Sequence, residues 1–216
     1  MKKDCLNRNF RMKLGSIAFF ILVPQILFQT FAGEVVRIKD LQGVWKFSIG
    51  ESKEWRLPKF DDSDWETILV PSPWEDQGFN GYNGYATYRR TFEVAPEYKD
   101  RMLYLFLGYI DDVDEVYVNG KKIGSTGSFP PYFETAYNAE RKYYLPSDVI
   151  IFGGKNLITV VVYDTYQQGG IVSGKIGLYA GKSVMKLSAN LQGAWKFKTG
   201  DDMERRKANY DDAEWD

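Results

Sequence analysis

The chain contains no histidine and a single cysteine, Cys5. Without an imidazole, neither a Ser-His-Asp triad nor a histidine metal ligand can be assembled from its own residues. Cys5 lies ahead of an apolar run that reads as removable, so the mature chain is expected to lack disulfide and thiolate chemistry. An excess of charge of one sign is also missing. Lys plus Arg number 28 and Asp plus Glu 29, which leaves a net charge of −1 and no basic surface for nucleic acid. Helical periodicity is nearly absent. What is present is 216 residues, 44% hydrophobic and 16% aromatic, enough to bury one substantial core.

The first residues read as a targeting segment. Lys2, Lys3, Arg8, Arg11 and Lys13 precede an apolar run over residues 17–27. That run is shorter than the ~20 residues needed to span a bilayer, and Pro24 interrupts it. Thr30-Phe31-Ala32 places small residues at the −3 and −1 positions of a cleavage site before Gly33. Residues 1–32 are therefore expected to be a signal peptide, and the product to be secreted or periplasmic, with a bacterial origin suiting an export signal without disulfides.

The rest is organised around residues 103–124, LYLFLGYIDDVDEVYVNGKKIG. Leu103 to Leu107 form a short apolar run, as in a strand covered on both sides. Glu115 to Val118 alternates, and Asn119-Gly120 supplies the two positive-φ positions of a type I′ turn. Asp111, Asp112 and Asp114 lie between the two strands. They cannot enter an apolar layer unpaired, so they must cap backbone, meet a cation or lie on an edge. Other strands are expected at residues 41–47, 67–70, 87–94, 141–145, 156–164 and 174–180, the β-branched stretch NLITVVVYD being the clearest. Two long loops, at residues 74–85 and 125–137, interrupt them. About nine short strands with turn signals between them read as an all-β antiparallel sandwich.

The tail repeats the head. Residues 191–197, LQGAWKF, copy residues 41–47, LQGVWKF, and residues 210–215, YDDAEW, copy residues 60–65, FDDSDW, at the same separation. One strand and one turn cannot bury a sandwich face. The expected organisation is a signal peptide over 1–32, a sandwich over 33–185 and the incomplete start of a second copy over 186–216, the whole reading as the N-terminal part of a longer protein or as a truncated reading frame.

The strings DDSDW, VPSPWEDQG, TYRRTFEV, IDDVDEVYVNG, KYYLP and VYDTYQQGGI resemble the sugar-binding jelly-roll domain of glycoside hydrolase family 2 enzymes. They are similar also to the galactose-binding-like domain inserted in bacterial sialate O-acetylesterase-type proteins. The resemblance implies a galactose-binding-like jelly-roll fold and a secreted enzyme of glycan breakdown, with chemistry done by a downstream catalytic domain.

Three candidate sites follow. Sugars stack on aromatic rings and hydrogen-bond to amides and carboxylates. Trp74, Glu75, Asn80, Tyr82, Asn83 and Tyr85, joined by Tyr132, Phe133 and Gln167, have that chemistry, although Trp74 and Tyr85 would serve equally as core aromatics. Asp111, Asp112 and Asp114 could hold a structural Ca²⁺, or Asp111 or Asp112 could pair with Arg89 or Arg90 on a neighbouring strand. Arg89, Arg90, Asn119 and Gly120 are assigned structural roles. For carboxylate catalysis Glu75, Asp76 and Asp164 are available, but nothing in the sequence singles out a pair, and no catalytic residue is assigned. The leading expectation is a non-catalytic carbohydrate-binding or accessory module. The alternatives are a spacer without sugar affinity and the accessory domain of an esterase.

Overall fold

The computed structural model describes residues 35–181, 195–200, 202–207 and 209–215. The expected signal peptide and residues 182–194, which hold the first four positions of the repeated strand, lie outside the described residues.

Ten strands form two antiparallel sheets. The four-stranded sheet has the order β1 (Val35–Asp40), β10 (Gly170–Gly181), β5 (Leu103–Asp111), β8 (Glu140–Leu145). The six-stranded sheet has the order β3 (Glu66–Val70), β2 (Gly43–Ile49), β4 (Gly84–Glu93), β9 (Lys155–Asp164), β6 (Val113–Val118), β7 (Lys121–Thr126). Among the described residues there is no α-helix, only short 3-10 turns. The all-β sandwich read from the turn spacing is the observed architecture. β1, with two central charges in VVRIKD, is the strand that the pattern did not reveal; its pairing with β10 supplies what its own alternation lacks.

The inner faces meet in one core. Trp45 and Phe47 of β2, Tyr88 of β4, Leu105 and Leu107 of β5, Ile158, Val160 and Val162 of β9 and Ile176 and Leu178 of β10 are all buried there. β9 is buried on its other face too, which explains its unbroken run of β-branched residues. The segment over residues 51–65 covers that outer side. Trp55 meets Trp65 edge-on at 4.9 Å, and Phe60 joins them 5.7 Å from Trp65. Below them the buried Arg89 guanidinium lies 5.3 Å from the Phe60 ring, donates to the carbonyls of Phe60 and Leu57 and pairs with Asp62 at 3.0 Å.

Residues 103–124 are central: β6 and β7 pair as a hairpin through Asn119-Gly120, but β5 does not pair with β6. β5 belongs to one sheet and β6 to the other, so the acidic turn carries the chain across the sandwich. At this crossing the Asp112 N–H reaches the Tyr163 carbonyl at 3.3 Å, and side chains add to these main-chain bonds. Arg141 of β8 donates from Nε to Asp114 Oδ1 at 2.8 Å, from Nη2 to the Asp112 carbonyl at 2.9 Å and from Nη1 to the Ala136 and Ala139 carbonyls, both at 2.6 Å. Tyr143 donates to the other Asp114 oxygen at 2.5 Å. The expected pairing of Asp111 or Asp112 with Arg89 or Arg90 is therefore wrong. β9 stands between β4 and β6, leaving the β4 arginines a full strand away; Arg90 instead donates to the Val44 carbonyl.

Asn119 and Gly120 both hold positive φ, 51° and 83°, in the two-residue turn between Val118 and Lys121. Asn119 does more than turn. Its amide donates to the Val149 carbonyl and to Asn156, each at 2.8 Å, and its oxygen accepts from the Leu157 N–H at 2.9 Å. Gly108, at φ 61°, lets β5 cross beneath the bulged start of β10, since a Cβ there would lie 1.9 Å from the Ser173 carbonyl oxygen.

In the tail, Trp195 is 68% exposed, whereas its counterpart Trp45 is 1% exposed. Phe197 and Phe47 differ in the same way. Lys196 reaches the Asp212 carboxylate at 2.7 Å and its carbonyl at 2.9 Å, whereas Lys46 in the first copy reaches the Ser63 and Trp65 carbonyls. In the copied turn the Ala213 N–H bonds Asp211 at 3.0 Å and the Trp215 N–H bonds the Asp212 carbonyl at 3.1 Å, matching the Ser63–Asp61 and Trp65–Asp62 bonds of the first copy.

Candidate functional site

Four connections gather at one end of the sandwich. They are the β5–β6 turn at Asp111 and Asp112 and the β3–β4, β7–β8 and β9–β10 loops. Strand register brings Asp111 opposite Gly170 and Tyr85 opposite Tyr163. The Ala136 N–H bonds the Asp112 carbonyl at 3.1 Å, and the Trp74 N–H bonds the Gly169 carbonyl at 3.2 Å. Loops distant in sequence are thus fixed to each other by main-chain bonds.

Trp74 is the floor of this end, not its surface. It is fully buried, with Nε1 donating to the Tyr82 carbonyl at 3.2 Å, and it packs 6.1 Å from Phe47. The backbone of Gly169 passes so close that a Cβ would stand 2.1 Å from the indole. Trp74 therefore cannot stack on a ligand, and this correction follows from the apolar pocket it fills. Glu75 is also committed, because its carboxylate accepts the Gly169 N–H at 3.1 and 3.2 Å and pins the β9–β10 loop. Tyr82 is half-buried, 5.8 Å from Trp74, and its hydroxyl donates to the Tyr85 carbonyl at 2.6 Å. Asn80, Asn83 and Gln167 are exposed, Gln167 at φ 69°, and Tyr132 is 86% exposed.

Tyr85 is half-buried within an aromatic patch that sequence reasoning had only partly assembled. Its ring stacks on Phe129 at 5.7 Å with an interplanar angle of 11° and meets Tyr163 at 4.7 Å. Phe133 closes the group edge-on to Tyr163 at 5.8 Å. Phe129 and Tyr163 were missed as site residues. Tyr163-Asp164, a polar pair ending an apolar strand, was the available signal.

Beside this patch three carboxylates converge. One oxygen each from Asp111, Asp112 and Asp164 lies within 4.8 Å of the other two. Asp114 is not among them; it is wholly buried against Arg141 and Tyr143, so the expected trio loses Asp114 and gains Asp164. Burial, with the neighbouring Asp112 and Asp164 charges, pushes the Asp111 carboxyl up to about 7. Burial likewise raises Asp164 to about 6. In Asp112 burial pulls the same way, but the Thr135 hydroxyl and the Thr165 hydroxyl and N–H hydrogen-bond its oxygens and hold it below the ordinary carboxylate range. Asp76 is exposed on the neighbouring 3-10 turn Glu75–Gln77.

The family model for the beta-galactosidase second all-beta domain matches residues 50–168, more than half of the chain. The chain belongs to that family. Its curated relatives include a beta-galactosidase from Priestia megaterium, 28% identical over 160 residues, which are 59% of this chain and 14% of that protein. Another is a putative beta-glucuronidase from Formosa agariphila, 25% identical over 187 residues, 81% of this chain and 17% of that protein. Among solved structures, a Bacteroides uniformis beta-glucuronidase superimposes with a TM-score of 0.55 at 24% identity, covering 68% of this chain and 18% of that one. A beta-glucuronidase from glycoside hydrolase family 2 gives 0.57 at 19% identity, covering 69% and 18%. At these identities the structures share the fold. The all-beta domain is a non-catalytic part, and this chain spans less than a fifth of each of these larger proteins.

In this all-beta domain the roles of Trp74 and Tyr132 separate cleanly. Trp74→Ala leaves a cavity under two loops and is expected to cost about 3–5 kcal/mol in urea unfolding. Tyr132→Ala, on an open surface, is expected to change stability by no more than about 0.5 kcal/mol.

Proposed function

We propose that this chain is the carbohydrate-facing accessory module of an exported glycoside hydrolase of the family 2, β-galactosidase type. Its loop end would present a surface to glycan while a catalytic domain elsewhere cleaves the bond. The observation that carries this reading is the juxtaposition of the Tyr85–Phe129–Tyr163–Phe133 patch with the exposed Tyr132, Asn80, Asn83 and Gln167. Apolar faces beside free amide groups match the two sides of a pyranose ring. The glycosidase names of the relatives support this parent over a sialate O-acetylesterase-like one.

A second reading, a spacer without sugar affinity, is favoured by the commitment of Trp74 and Glu75 to holding loops. A glycan array that includes β-galactosides and β-glucuronides, probed with residues 33–216, separates the two. The accessory reading predicts weak retention that falls ~10-fold, or ~1.4 kcal/mol, in a Tyr132→Ala, Gln167→Ala double variant. No retention of any glycan by the wild type would leave the spacer reading standing.

Export is part of the proposal, supported by the basic, apolar and small-residue order of residues 1–32. Intact mass of the chain recovered from a bacterial periplasm should correspond to a start at Gly33. A product in that fraction retaining Met1 would contradict it.

A further inference from the structure

Asp164 lies at the end of β9 and is 1% exposed, yet its Oδ2 has no hydrogen-bond partner. Its other oxygen accepts the Tyr166 N–H at 3.3 Å. An orphan carboxylate oxygen in a buried place is expensive unless something positive meets it. Asp111 and Asp112 bring two more carboxylates to the same point, with one oxygen from each of the three within a 4.8 Å group. None of the ion pairs among the described residues includes any of the three. The guanidinium of Arg141 bears on Asp111 but is already bonded to Asp114 and to three carbonyls.

We propose that Asp111, Asp112 and Asp164 form a binding site for a hard divalent cation of calcium size. The donors are all oxygens, which selects calcium-like or magnesium-like ions over those that prefer nitrogen or sulfur. Calcium, with ligands at about 2.3–2.6 Å, spans oxygens up to about 5 Å apart and tolerates irregular geometry, whereas magnesium demands a near-ideal octahedron. Three oxygens within 4.8 Å of one another can therefore share a calcium without closing further. Asp112 is anchored by Thr135 and Thr165, Asp164 by the Tyr166 N–H, and Asp111 remains half-exposed, so an ion has an entry path and two preset ligands. The bound ion would tie the β5–β6 crossing to the start of the β9–β10 loop. This inference does not depend on sugar binding, and its test uses no glycan.

The test is thermal unfolding and calorimetry on residues 33–216, stripped with EDTA and titrated with Ca²⁺ to 10 mM. An extracellular-type site predicts a Kd of ~0.1–1 mM and a melting temperature raised by a few degrees. Asp111→Asn and Asp164→Asn should each fold and each lose the saturable shift, while Asp148→Asn, on the surface, should keep it. Tb³⁺ luminescence sensitised by Tyr163 should be displaced by Ca²⁺ in the wild type alone. No Ca²⁺ response in the wild type overturns the site, as does an undiminished response in Asp111→Asn and Asp164→Asn. An equal shift with Mg²⁺ overturns the choice of ion.

Discussion

A buried guanidinium holds the ends of the two sheets together. Where β5 leaves one sheet and β6 enters the other, Asp112 keeps main-chain bonds to Tyr163 and Ala136, and the loop carbonyls around it need further donors. Arg141 donates to the Asp112, Ala136 and Ala139 carbonyls, and Asp114 supplies its counter-charge. Both side chains are fully buried, so the desolvation cost is large and is offset only because nearly every donor is used. Tyr143 completes the group, and its hydroxyl in turn meets Thr126 of β7 at 2.6 Å. One arginine on β8 thereby orders the crossing, the β7–β8 loop and the edge of the six-stranded sheet.

The architecture of the loop end follows from that constraint. With the crossing fixed, Asp111 and Asp112 face Asp164 at the end of β9, and Tyr163 faces Tyr85 across the ladder. Trp74, beneath Gly169, and Glu75, on its N–H, then set the height of the last loop. The polar residues left exposed above this framework are the ones with no structural duty, which is why the functional reading rests on them and not on Trp74.

Much of the fold was legible because periodicity survives in short strands. The alternation in β6, the β-branched run of β9 and the Asn119-Gly120 turn each carry local information that tertiary structure did not override. What could not be read were pairings between distant elements. Asp114 and Arg141 are separated by a turn, a strand and a loop, and no spacing rule links them. The choice of Arg89 or Arg90 as partners was reasonable chemistry placed on the wrong strand, because sheet order is not written in any one segment. Trp74 illustrates a second limit: an aromatic in a glycine-rich loop looks the same in sequence whether it faces solvent or core. The repeat was visible in full.

The central claim is that Arg141 and Asp114 act as one unit. A double-mutant cycle by urea unfolding, with Arg141→Met, Asp114→Ala and both together, measures it directly. Each single change is expected to cost about 3–5 kcal/mol by stranding a buried charge. The pair together should cost less than their sum by about 2 kcal/mol or more, since neither charge is then left alone. Additivity within about 0.5 kcal/mol would mean that the two residues do not depend on each other, and the account of the crossing would be wrong.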